Sequence, residues 1–385
     1  MNIHSKRAAK QLKRTGRQRT GIITYLTIGL TLLLGAALLA LPGTVSKGIA
    51  SGLRACGGVI IPALFPFMVL SGFVTLSPVG EQLSRPLAPI TTKLLRLPKD
   101  LGGVVLMSFI GGYPVGARAI SNLLRQGRIS AQTAARMLVV CANPGPSFVI
   151  GAVGLLVLGS PQAGVALFAA QAFSALLLGW LFGRRAKEPA ANLPPATYPA
   201  LSAAFVEAVR GAAMGMVVIC GFVLLFSAVI ALLGVGGLLG RLSDWAAAAT
   251  LGLIPADLLA CALAGMLEVT YGTLLCAALP GRWAQLLVPF LLAFGSVSVM
   301  CQVAACFEGQ RVDLRPFVIS RFLHGLLTAG LAQPLLAFAP KASPVLLPGD
   351  RPLPYVNPST LPATLLLIGM MSVLLLALSG GKRHR

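Results

Sequence analysis

Apolar residues run along this chain in long blocks, separated by short basic or Pro-rich joints, rather than alternating two by two. Ten blocks stand out, at roughly 22–42, 48–77, 101–124, 134–158, 161–183, 206–235, 256–279, 284–308, 314–340 and 361–380. Each is close to or above the ~20 residues that a helix needs to cross a bilayer. The pattern predicts an all-α polytopic membrane protein. Two polar joints, 184–199 and 341–362, carry Glu-Pro or Pro-Pro steps and read as extended loops. The predicted organisation is a basic cytoplasmic tail at 1–21, a first transmembrane helix at 22–47, and a first repeat at 48–183. A linker at 184–205 follows, then a second repeat at 206–340 and a C-terminal part at 341–385 with loop, last helix and basic tail.

Composition agrees with that frame: 56% of the 385 residues are hydrophobic and 11% charged. The block at 22–41 follows a basic stretch, as in a signal peptide. Its apolar run exceeds the 7–15 residues of a signal core, so it reads as an uncleaved helix. The formal charge of +21 would suggest nucleic acid in a soluble protein. Here the Lys and Arg sit in tails and short loops beside apolar blocks, where they set orientation and attract anionic lipid. The N-terminal cluster (Lys6, Arg7, Lys10, Lys13, Arg14, Arg17, Arg19) has no interleaved aromatics, and no nucleic-acid partner is expected. The seven cysteines lie in or next to apolar runs without a CxxC, and read as small buried hydrophobes with no metal or disulfide.

Charge also bears on how many blocks cross. If 101–124 and 256–279 enter and leave on one face as re-entrant hairpins, Arg125, Arg128, Arg184, Arg185 and Lys187 join the basic N-terminal tail on the inner side. The positive-inside rule prefers that arrangement to ten crossings. Each half then has three crossings, so the halves are oppositely oriented, an inverted repeat with both termini cytoplasmic.

Four of the blocks are broken by polar or helix-stopping residues. The first is Gly111-Gly-Tyr-Pro-Val-Gly116, with Arg118 two residues beyond. The second is Cys141-Ala-Asn-Pro-Gly-Pro-Ser147, where two prolines and a glycine leave Asn143 and Ser147 at open helix ends. The third is Glu268-Val-Thr-Tyr-Gly272, and it holds the one acidic residue placed at membrane depth. The fourth is Phe294-Gly-Ser-Val-Ser-Val-Met-Cys-Gln302. Irregular backbone at that depth is tolerated inside protein or along a watery cavity, and intramembrane carboxylates mark functional routes. Gly111, Gly112, Tyr113, Pro114, Arg118, Asn143, Ser147, Glu268, Thr270, Tyr271, Ser296, Ser298 and Gln302 are therefore the candidate substrate-binding residues. Glu268 is also the candidate for binding a coupling proton or cation. Structural readings compete with these roles: Pro-kinked ordinary helices, a snorkelling Arg118, an internal Arg118–Glu268 ion pair, and Ser-mediated helix packing. Arg321 and His324 share a helix face near the expected inner boundary, where lipid or surface contact competes with a site role. No P-loop, zinc-protease motif or nucleophile elbow is present, so no enzyme activity and no cofactor are expected.

The Phe109-Ile-Gly-Gly-Tyr-Pro-Val-Gly-Ala-Arg118 stretch, the run from Cys141 to Gly154, the run from Leu292 to Val303 and Arg321-Phe-Leu-His324 together resemble the YlbJ family of sporulation integral membrane proteins. The likeness extends over about residues 48–340. It implies a nucleoside-recognition (Gate) domain, a core like that of concentrative nucleoside transporters, and a role in endospore formation and cortex assembly. The domain's name does not imply nucleoside binding here. Three activities stay open: transport of a small polar solute by alternating access, a membrane scaffold for cortex-building proteins, and a flippase for a lipid-linked precursor. A homo-oligomer and sporulation partners are compatible with each.

Overall fold

In the computed structural model the described residues are 24–25, 28–29, 31–184, 198–235 and 237–339. The basic tail at 1–21, most of the linker, the loop after 340 and the expected last helix at 361–380 lie outside them. Every regular element among the described residues is helical.

A short apolar helix, α1 (Thr31–Ala40), leads into α2 (Pro42–Ala55). One wide π turn then continues without a stop into α3 (Ile61–Thr75). Next come α4 (Val79–Pro89), α5 (Gly102–Gly111), α6 (Tyr113–Arg125), α7 (Ala131–Cys141) and a π-helical stretch (Ser147–Gly154). The half closes with α8 (Pro161–Arg184). The second half runs through α9 (Leu201–Val235), α10 (Leu238–Ala249), α11 (Ala256–Leu267), α12 (Val269–Leu275), α13 (Gly281–Phe294), α14 (Ser296–Cys306) and α15 (Arg315–Ala337). Both halves thus present a long helix, a short helix, two short helices about a sharp break, a broken helix and a final long helix. The two short helices, α4 and α10, fall where the apolar blocks predicted loops.

Among the described residues, four helical stretches are long and apolar enough to cross a membrane: Pro42–Thr75, Pro161–Arg184, Leu201–Val235 and Gly281–Cys306. With a mean hydropathy of +0.85, this places the protein in the membrane. Large apolar side chains such as Phe173, Leu201, Phe205, Ile319 and Phe322 are exposed on the bundle, as expected where hydrocarbon is the solvent.

With lipid outside, helices gain little from apolar burial and associate through close packing of small residues. Gly48 and Gly52 of α2 meet Ser227 and Ala228 of α9; a Cβ added at Gly48 would lie 2.8 Å from the Ser227 carbonyl oxygen. Gly72 of α3 lies similarly against Ala208. In the second half, Gly325 of α15 receives the Phe290 ring of α13.

Candidate functional site

The two sharp breaks are tips of helical hairpins. In the first, Gly112 adopts φ 87° and ψ −179°, a conformation that only glycine reaches without strain. The arms fold back on each other: Leu101 and Val104 at the start of α5 wall the same cavity as Leu123 and Gln126 at the end of α6. A Cβ on Gly116 would lie 2.8 Å from that of Ser108. In the second hairpin Glu268 is extended, at φ −142° and ψ 116°. A Cβ on Gly272 would fall 2.0 Å from the Gly265 Cα, so only glycines allow the arms this close.

The broken helices meet the first tip. Gly112 lies against Gly145 in the Asn143-Pro-Gly-Pro break, where a Cβ would sit 3.4 Å from the Gly145 nitrogen. The Tyr113 ring rests on Gly295 in the α13–α14 break, and its hydroxyl donates to the Leu292 carbonyl at the open end of α13. Gly295 has φ 85° and Ser296 has φ 66°, the latter unusual for a residue with a Cβ.

Between the tips and breaks is a cavity of about 40 Å3, walled by Gly112, Tyr113, Pro114, Pro144, Gly145, Phe148, Glu268, Thr270, Val299 and Gln302, with Ile219 and Val223 of α9. That volume admits a few water molecules. Glu268 is buried at its edge and caps α12: Oε1 accepts from the Thr270 amide at 3.1 Å and Oε2 from the Tyr271 amide at 2.6 Å. Charge-assisted bonds at a helix N-terminus suit a carboxylate. The capping fixes the side chain on its own helix while leaving it a wall of the cavity.

Of the sequence candidates, Gly112, Tyr113, Pro114, Glu268, Thr270 and Gln302 come together at this cavity. The others stand outside its walls. Gly111 is buried against Val115, and Tyr271 contributes its backbone amide to the cap. Asn143 is buried behind the break, its Nδ2 donating to the Val140 carbonyl, and Ser147 is half-buried at the start of the π-helical stretch. Ser296 Oγ accepts from the Val299 amide at 3.3 Å, and Ser298 Oγ accepts from Gln302 Nε2 at 3.3 Å. Arg118 donates to the Gly211 carbonyl of α9, and no ion pair joins it to Glu268.

A second set of polar residues holds the breaks from behind. Arg321 on α15 is fully buried, where the sequence left lipid or surface contact open. It donates to the carbonyls of Ala142 and Val139, the unpaired oxygens at the C-terminal end of α7. His324 touches Arg321 at 3.3 Å, the Ala293 carbonyl at 3.1 Å and the Gln171 carbonyl at 3.0 Å. Gln171 of α8 donates to the Pro144 carbonyl at 3.0 Å. One helix face of α15 therefore ties α7, α8 and α13 together. The sequence signal for it was a cation and a histidine three residues apart inside an apolar helix, with Gln171 the matching polar position in α8.

No family model and no solved structure matches the chain. The sporulation integral membrane protein YlbJ of Bacillus subtilis (strain 168) is 27% identical over 336 residues, covering 80% of this chain and 81% of that relative. A likeness extending over four fifths of both chains supports membership of the YlbJ family.

Proposed function

We propose that this chain is a multi-pass membrane protein of spore formation, acting in cortex assembly, whose hairpin tips and broken helices bind and move a small polar solute. The observation that carries this reading is the shared cavity: two tips and two breaks, far apart in sequence, converge on one space beside a buried carboxylate. Paired broken segments in two halves are the usual mark of a transporter site. The hairpin arms of 10, 13, 12 and 7 residues are each shorter than a bilayer-spanning helix. That favours re-entrant hairpins. By the positive-inside rule the two halves are then oppositely oriented with both termini cytoplasmic, and the family resemblance adds a core like that of concentrative nucleoside transporters. Alternating access would widen this cavity toward either side in turn. Glu268, Thr270 and Gln302 supply the polar contacts, and Glu268 is the candidate for the coupling ion.

The test is thermal stability of purified protein against nucleosides, amino acids, dipicolinate and cortex precursors, with wild type and Glu268→Gln in parallel. A ligand that binds only the native state raises its stability according to concentration over dissociation constant. A shift in wild type that disappears in Glu268→Gln establishes the site. If no compound shifts a well-folded sample, the solute reading fails. Loss of function on charge reversal at Arg85, Lys93, Arg96 and Lys99 would then mark a scaffold.

A further inference from the structure

Resting on that transport reading, we propose that the solute reaches the tip cavity along the seam between α3, α6 and α9, and that Arg118 at the waist of the seam selects a solute bearing a negatively charged group.

Three cavities lie in a row along α6. Tyr113 and Pro114 at its start wall the tip cavity. Val115, Arg118, Ala119 and Asn122 wall a second, of about 100 Å3. Ala119 and Asn122 also wall a third, of about 40 Å3, which continues to Gln126 at the end of the helix. The neighbouring helices give the same order. Along α3, Leu64 belongs to the tip cavity, Met68 and Ser71 to the second, and Thr75 to both the second and third. Along α9, running the other way, Ile219 belongs to the tip cavity and Ala212 to Glu207 to the second.

The waist lies at Gly215, between Ile219 and Ala212. A Cβ there would be 2.5 Å from Met68 Cε and 2.8 Å from Arg118 Nη2. What closes the seam is thus the ends of two long, flexible side chains rather than backbone. Ser71 supplies a separate sign of polar occupancy. It is fully buried, it walls the second cavity, and its hydroxyl has no partner. A helix serine ordinarily bonds back to the preceding turn, so a buried free hydroxyl awaits water or a polar ligand. Charge at the waist is set by Arg118, which is half-buried. Glu207 walls the outer end of the same cavity and Glu81, Asp100 and Arg128 wall the third, which leaves Arg118 as the charged side chain at the waist itself.

The test needs no identified solute. Ser71→Cys and Ala119→Cys are placed singly in full-length protein with the seven native cysteines replaced. Each is reconstituted and treated with anionic and cationic thiosulfonate reagents of similar size. Both positions should react, and Ser71→Cys should prefer the anionic reagent roughly tenfold over its preference for a free thiol, as expected beside a cation that outweighs Glu207. Arg118→Gln should erase that preference and Arg118→Lys should keep it. If neither cysteine reacts in folded protein that labels fully after denaturation, the route is wrong. Equal rates for the two reagents, or a preference that survives Arg118→Gln, remove Arg118 as the selector. A seam that labels as expected in a protein that no solute stabilises would leave the route standing and count against the solute site alone.

Discussion

Arg321 Nη2 lies 2.6 Å from the Val139 carbonyl oxygen, so a cation carried by α15 closes the open end of α7, 182 residues earlier in the chain. Helix breaks leave carbonyls without partners, and in a bundle surrounded by lipid no water reaches them freely. The guanidinium answers two of them and braces His324, which reaches the end of α13.

Truncating this side chain should therefore be among the most destabilising single changes in the protein. Arg321→Ala orphans the carbonyls of Val139 and Ala142 at about 1–3 kcal/mol each, and leaves a void beside Phe317. Arg321→Lys keeps the charge but lacks the fork, and should recover part of the loss. Thermal unfolding in detergent ranks the three proteins; an Arg321→Ala variant as stable as wild type would contradict the bracing role.

The contact between the first tip and the second broken helix makes a different prediction. Tyr113→Phe keeps the ring on Gly295 and removes one buried hydrogen bond, for about 1 kcal/mol. Gly295→Ala should be worse, because it adds a Cβ 3.2 Å from that ring at a φ of 85°. Denaturation midpoints that fall in the reverse order would mean that the ring does not dock there.

The second hairpin has a register that chemistry can read. Gly265 opposite Gly272 places Cys261, one turn before, opposite Cys276, one turn after, and Cys276 Sγ donates to the Gly272 carbonyl at 3.2 Å. With the other five cysteines replaced, a membrane-permeant oxidant should convert this pair to a disulfide within the monomer, with the loss of two alkylatable thiols by mass spectrometry. Retention of both thiols after exhaustive oxidation would show the arms in another register.

Tyr198 anchors the entrance to α9, its hydroxyl donating to Glu81 Oε1 at 2.8 Å. Burial first, and the Glu81 carboxylate second, push this phenol up to about 12 from its ordinary value of 10. The folded state holds the proton more tightly, so the stabilisation is complete below pH 10 and is lost as the pH rises through about 12. Tyr198→Phe should remove that part of the alkaline loss of stability. Identical pH profiles for the two proteins between pH 9 and 12 would show that the bond contributes nothing.

Much of this architecture was legible in the sequence because its signals are local. Long apolar blocks give helices, Pro144 and Pro146 cannot continue one, and Gly112 and Gly295 permit the positive φ at which the chain turns. Three of the four breaks therefore fall at glycine or proline; the remaining one falls at Glu268, whose extended backbone and carboxylate begin α12. The short helices α4 and α10 escaped notice, since α4 carries polar residues and internal prolines and neither has a long apolar run.

Pairing is a different matter, since it depends on which surfaces meet. Nothing local tells Tyr113 to rest on Gly295, or Arg321 to reach Ala142 rather than lipid headgroups; residues 179 or more apart meet only when the whole bundle has formed. The tertiary structure also sorted the candidates, bringing Glu268, Thr270 and Gln302 to the tips and sending Arg118 to the α9 seam. Sequence alone marked where three of the apolar blocks break, because glycine and proline carry their backbone preferences with them. Which breaks face one another was decided by the fold, because an unpaired carbonyl in an apolar bundle accepts whichever donor the packing of distant helices delivers.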